Sequence, residues 1–161
     1  MMKKTLLSIM TMAILASSTA AYSNAVTKDI TVEATIPASF SMSDDAGKAI
    51  ESAPLKMTPD ADNKGSYIIT KPVRFTGNGK GLTITMNKEF KLVESTGAIK
   101  EFTDIELKLD SQDLTLRNQV KLGQDKLGQS VNLVISGKEP DHAMEGETYS
   151  GTLQLKLEAD A

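Results

Sequence analysis

Residues 26–38, Val-Thr-Lys-Asp-Ile-Thr-Val-Glu-Ala-Thr-Ile-Pro-Ala, alternate apolar and polar positions with a period of two. Ile30, Val32, Ala34 and Ile36 fall on one side, with Asp29, Thr31, Glu33 and Thr35 on the other. That period predicts a β-strand with one buried face. A strand at the start of a domain can serve its own sheet, or it can leave and complete the sheet of another copy.

The same two-residue period recurs along the chain. Pro37 and the Ser/Asp/Gly-rich residues 41–48 predict a break, and residues 55–58 a short strand before a loop at 59–65. Residues 67–70 and 73–76 read as strand on either side of Pro72. The run Gly77-Asn78-Gly79-Lys80-Gly81 then separates them from Leu82-Thr83-Ile84-Thr85-Met86. Alternating runs about an Asn-Gly loop predict a β-hairpin, because glycine and asparagine tolerate positive φ. Residues 90–93 are a weaker strand candidate and 105–109 a strong one, whereas 111–130 fit neither period well and read as a loop with one short strand. Val131, Leu133 and Ile135 belong to a nearly continuous apolar run that suggests burial on both sides. Residues 149–159 alternate again, with Tyr149, Gly151, Leu153, Leu155 and Leu157 on one face. About seven short strands divided by turn residues predict an all-β, immunoglobulin-like sandwich.

Composition narrows the setting. Lys3 and Lys4, an apolar run from Leu6 to Ala16, and small residues at Ser23 and Ala25 read as a signal peptide over residues 1–25, cleaved before Val26. That run is too short for a membrane anchor, and no later stretch approaches about 20 apolar residues. Removing 25 of the 161 residues leaves 136, one domain able to bury its own core. Without Lys3 and Lys4 the 18 basic side chains become 16 against 21 acidic ones, a net charge of −5. An acidic chain without a Lys/Arg cluster argues against nucleic acid or an anionic membrane as partner. There is no cysteine, so an exported domain of this kind is held by core packing and strand pairing alone.

Catalytic and metal motifs are not evident. His142 is the sole histidine, in the acidic loop Glu139-Pro140-Asp141-His142, and reads as a surface residue. Without cysteine or a second histidine the usual zinc sets cannot be assembled. Asp60-Ala61-Asp62-Asn63-Lys64-Gly65 begins like a calcium loop, but Lys64 takes a ligand position and Lys71 stands where the bidentate Glu belongs. It reads as a solvated turn. The glycines at 77–81 lack Walker spacing. No catalytic residue, metal site or cofactor is expected.

The two ends of the chain resemble a known family. Val26-x-Lys28-Asp29-Ile30-Thr31-Val32-x-Ala34 resembles the N-terminus of the major pilins of the alternate chaperone–usher (alpha) fimbriae, the colonisation factor antigen I type. Gly146-x-x-Tyr149-Ser150-Gly151-Thr152-Leu153-x-Leu155 resembles their terminal strand. The resemblance implies an incomplete sandwich lacking its last strand, filled by the N-terminal extension of a neighbouring subunit that displaces a periplasmic chaperone. Residues 26–38 are then the donor strand, with Val26, Ile30, Val32, Ala34 and Ile36 on its apolar face, and 39–161 the pilin domain. The donor is expected antiparallel to residues 149–159. Val131, Leu133, Ile135, Leu153, Leu155 and Leu157 are expected to line the groove. A chain that ends at Ala161 leaves no residues for a further strand, in keeping with an open edge. Implied partners are identical subunits in a homopolymer, the chaperone, an outer-membrane usher and a tip adhesin. The implied route runs through the periplasm to a fimbria on the cell surface. The alternatives are a minor or tip adhesin, for which 136 residues leave no lectin-like domain, a periplasmic chaperone, which would be larger and two-domained, and a monomeric secreted β-sandwich binding domain.

Overall fold

A computed structural model describes residues 28, 30–37, 39–50, 54–96 and 100–160. The signal segment 1–25, Val26 and Asp29 lie outside them. The chain divides into a unit up to Thr35 and a unit from Ile36 to Ala161. In the first, the described residues belong to no strand and are exposed, Ile30 at 84% and Val32 at 86%.

The second unit is all-β. In chain order it contains β1 (Phe40–Asp44), β2 (Thr58–Pro59), β3 (Ser66–Gly77), β4 (Gly81–Met86), β5 (Val93–Glu94) and β6 (Thr103–Leu109). It continues with β7 (Gln112–Asp113), β8 (Val120–Gly123), β9 (Ser130–Lys138), β10 (Tyr149–Ser150) and β11 (Leu155–Ala159). One sheet has the order β1-β3-β9-β6-β7, with β2 also on β3; a second has the order β11-β4-β8; β10 and β5 form a two-stranded pair. All pairings are antiparallel. The inner faces of the two larger sheets meet in one core: Val73, Phe75, Leu109 and Leu133 come from the first, Leu82, Ile84, Val120 and Leu122 from the second. This is an immunoglobulin-like sandwich.

Several local expectations need correction. The run 77–81 does not close a hairpin, since β3 and β4 lie in different sheets and never pair. It is a corner from one sheet to the other. Gly77 and Gly79 are not needed for positive φ, as neither adopts it. They are needed for space, because a Cβ at Gly77 would stand 2.2 Å from a ring carbon of Phe40. The Asn78 side chain ties this corner down, donating to Pro37 O at 3.0 Å and accepting from Ser39 N–H at 2.9 Å.

Residues 41–44, read as part of a break, belong to β1. Its serines and aspartate are poor strand formers, but Phe40 and Met42 pack on the core and Ser41 Oγ meets Thr76 Oγ1 at 2.8 Å. Pro72 does not interrupt β3. The even-numbered residues of β3 turn their backbone groups toward β1 and β2, since Phe75 O accepts from Gly128 on the opposite side. Pro72 falls between the last β1 partner, Val73, and the first β2 partner, Ile68, so its missing N–H costs no ladder bond. β9 is buried on one face only, with Val131, Leu133 and Ile135 inward and Asn132 exposed. The terminal run splits into β10 and β11, with the backbone of Lys91 crowding Gly151 between them.

Candidate functional site

The second sheet ends at β11, and the order of pairing shows which of its backbone groups are free. Asn87 N–H donates to Gln154 O at 3.0 Å and Asp160 N–H donates to Gly81 O at 3.1 Å. Even-numbered residues of this strand therefore spend their hydrogen bonds on β4. Leu155, Leu157 and Ala159 turn theirs the other way, by the alternation of an antiparallel ladder. On that side they meet no backbone partner among the described residues.

β1 is the opposite bank. Asp44 N–H turns away from β3 to Lys48 O at 2.8 Å, so Phe40 and Met42, in phase with it, also present their backbone groups away from β3. Between the two edges runs a groove of about 1900 Å³. Small-molecule pockets are commonly about 300–1,000 Å³, so this one has room for a stretch of polypeptide. Phe40 and Met42 line one bank, Leu153, Leu155 and Leu157 the other, and Ile69, Leu133 and Ile135 the floor. Leu153, Leu155 and Leu157 are half-buried while Gln154, Lys156 and Glu158 are exposed, so one face of the last strand is turned to an unfinished core.

The segments around β10 and β11 are both anchored, β11 through Asp160. At its C-terminal end Thr83 Oγ1 donates to Asp160 Oδ1 at 2.5 Å. Near residue 149, Lys100 pairs with Glu147 and also donates to His142 O at 3.0 Å. The other Glu147 oxygen accepts from Tyr149 Oη at 2.8 Å and Met144 N–H at 3.0 Å. The hydrogen bond from Lys100, followed by those from Met144 N–H and Tyr149, holds the Glu147 carboxyl down to about 2. Burial, reinforced by the neighbouring carboxylate, pushes the Tyr149 hydroxyl up to about 12. The Tyr149 ring stands edge-on to Phe102 at 5.1 Å, and Phe102 edge-on to Tyr67 at 5.6 Å. These groups are locked to one another, so the cluster reads as a brace and not as acid–base machinery.

Of the six expected lining residues, Leu133, Ile135, Leu153, Leu155 and Leu157 border the groove. Val131 does not; it is 4% exposed in the closed core, further along β9. Phe40, Met42 and Ile69 were missed, although the spacing Phe40-x-Met42 is itself a short alternation. Of the expected donor residues, Val26 lies outside the described residues, and Ile30, Val32, Ala34 and Ile36 are all exposed.

One family model and one fold match place the chain among known proteins. The family model of the CS1 type fimbrial major subunit matches residues 26–158. The CooA pilin subunit from enterotoxigenic Escherichia coli superposes with a TM-score of 0.54 at 12% identity, covering 74% of this chain and 86% of that one. A chain from a chaperone–tip adhesin complex described as vital for synergistic activation of CFA/I fimbriae biogenesis aligns with a TM-score of 0.44 at 18% identity, covering 70% of this chain and 40% of that one. A search of curated protein sequences finds no match.

Proposed function

Because the chain belongs to the CS1 type fimbrial major subunits, a family of structural components of surface fimbriae, we infer that its groove receives residues 26–36 of another copy. The observation that carries this reading is the groove bordered by β1 and β11, where among the described residues Leu155, Leu157 and Ala159 meet no backbone partner, β1 is bridged only at its Ser43–Asp44 end, and apolar side chains alternate toward the space. An extended segment there would form main-chain bonds to both banks and place alternate side chains over the floor, which is β-strand addition. Ile30, Val32 and Ile36 would each contribute ~1.5–3 kcal/mol on full burial, Ala34 less. Each backbone bond would add about 1 kcal/mol net.

The product of repeated addition is a homopolymer, with each subunit giving its N-terminal segment and accepting one, the donor antiparallel to the last strand. An uncovered apolar edge invites uncontrolled pairing. A periplasmic chaperone that covers it, an outer-membrane usher and a tip adhesin complete the assembly in this reading. The chain's part is structural, with no catalysis assigned to it.

The test moves residues 26–38 from the N-terminus to a position after Ala161, through a short flexible linker. Intramolecular insertion acts at an effective concentration in the mM range, so it outcompetes exchange between chains. The rearranged chain is expected to be monomeric by size-exclusion chromatography and to melt cooperatively well above a chain starting at residue 39. If the truncated chain is equally stable alone, the reading fails.

A further inference from the structure

The groove fixes more than the presence of an inserted strand. Four apolar donor positions, Ile30, Val32, Ala34 and Ile36, can face four acceptor positions, Leu153, Leu155, Leu157 and Ala159. Laid antiparallel with all four matched, Ile30 meets Ala159, Val32 meets Leu157, Ala34 meets Leu155 and Ile36 meets Leu153. The midpoint of the donor set is Glu33 and the midpoint of the acceptor set is Lys156. Reversing the donor direction leaves that central pair unchanged. The geometry points to a cross-subunit ion pair between Glu33 of the donor and Lys156 of the acceptor, which selects the register of assembly. This rests on the donor-strand reading above and deepens it.

Three observations support the pair. Lys156 is exposed on the outer face of β11, between the half-buried Leu155 and Leu157. Its backbone groups are spent on β4, so an inserted strand meets it at a non-hydrogen-bonded position, where opposing side chains come closest. Its present partner is Glu158, on the same strand at 2.7 Å, with both side chains about half exposed, so a carboxylate from a neighbour can replace or share it.

The shifted alignments are worse on both counts. A slip of two residues one way carries Ile30 beyond Ala159 and sets Glu33 against Glu158. The opposite slip sets Ile36 against Gly151, where the Lys91 backbone crowds the strand, and Asp29 against Glu158. The matched register sets Asp29 against Asp160, so each register carries one like-charge pair and only the matched one adds an opposite-charge pair, Glu33 with Lys156. Apolar pairing makes insertion favourable in more than one register; charge separates them. Like charges directly opposite destabilise a strand pair, and opposite ones stabilise it.

The natural chain has no cysteine, so introduced pairs report the register directly. The full-length chain, exported and assembled into fibres, would carry Glu33→Cys with Lys156→Cys. Facing Cβ atoms at such a position lie within disulfide reach. A ladder surviving boiling in detergent without reductant, and collapsing with it, is the expected result. Glu33→Cys with Gln154→Cys or with Glu158→Cys should give no ladder, since a two-residue offset adds roughly 7 Å along the strand. A ladder from an offset pair instead overturns the register and leaves strand exchange standing. Fibres that form with no ladder from any pair overturn both. In parallel, Glu33→Lys or Lys156→Glu should slow assembly about two- to fivefold, and the two together should restore it. A double reversal no faster than the single ones overturns the ion pair.

Discussion

The sandwich has a closed half and an open half. Around β4 and β8, Leu82, Ile84, Leu122 and Val120 are at most 1% exposed, packed against Val73 and Phe75 of the facing sheet at the same level. Around β1 and β11, Phe40, Met42, Leu155 and Leu157 have the same alternation and similar chemistry, yet remain half-buried. The difference is not hydrophobicity. In the closed half the inner faces of the two sheets cover each other, while in the open half the same kind of side chain borders a groove between β1 and β11. The donor-strand proposal supplies a segment that matches this region, extended and apolar on alternate residues.

The largest test of this contrast is Val32→Asp. It places a charge where the open half requires an apolar side chain, at a cost of several kcal/mol unless the carboxylate is neutralised. Export is expected to continue and polymer to vanish from unboiled gels; fibres of normal length would show that the segment does not fill the groove. The converse comes from the closed half. Ile84→Ala should lower the stability of the isolated subunit by about 2–5 kcal/mol, measured by denaturant melting. Leu155→Ala should cost the isolated subunit distinctly less, because Leu155 is only half-buried there, and on the donor-strand proposal it should cost the polymer more.

Gly77→Ala acts at the boundary between the halves. The new Cβ meets the Phe40 ring and Ser39 O at 2.6 Å or closer, so the bank formed by Phe40 must shift. A loss of about 1–3 kcal/mol is expected, accompanied by slower polymer formation. The smallest effect is the pH response of the brace beside the groove. Glu147 is held down to about 2 when folded and returns to an ordinary carboxylate value when unfolded. Its contribution is therefore complete above about pH 4.5 and is lost as pH falls toward 2. Glu147→Gln should flatten that part of the pH–stability profile, and an unchanged slope would remove Glu147 from the acid response.

Much of this was legible in the chain. The strands 103–109 and 130–138 and the terminal alternation follow from period-two patterning, which a strand imposes whatever its neighbours, whereas the same period at 30–36 forms no strand within its own chain. The hairpin expected at 77–81 failed because turn chemistry announces a change of direction without saying whether the next strand stays in the sheet. Pro72 was a break by local rules and harmless in place, because what mattered was the side on which β3 had a neighbour. Residues 41–44 have weak strand propensity and became β1 through the long-range contacts of Phe40 and Met42.

By itself, the sequence determined the all-β class and the inward faces of its main strands, because side-chain alternation is a local property. Only the tertiary structure decided which strands share a sheet, that Val131 lies in the closed core while Leu133 borders the groove, and that β1 and β11 border one groove. Those are properties of pairing between residues far apart in the chain. A strand's own pattern says which face it buries but not which strand lies beside it.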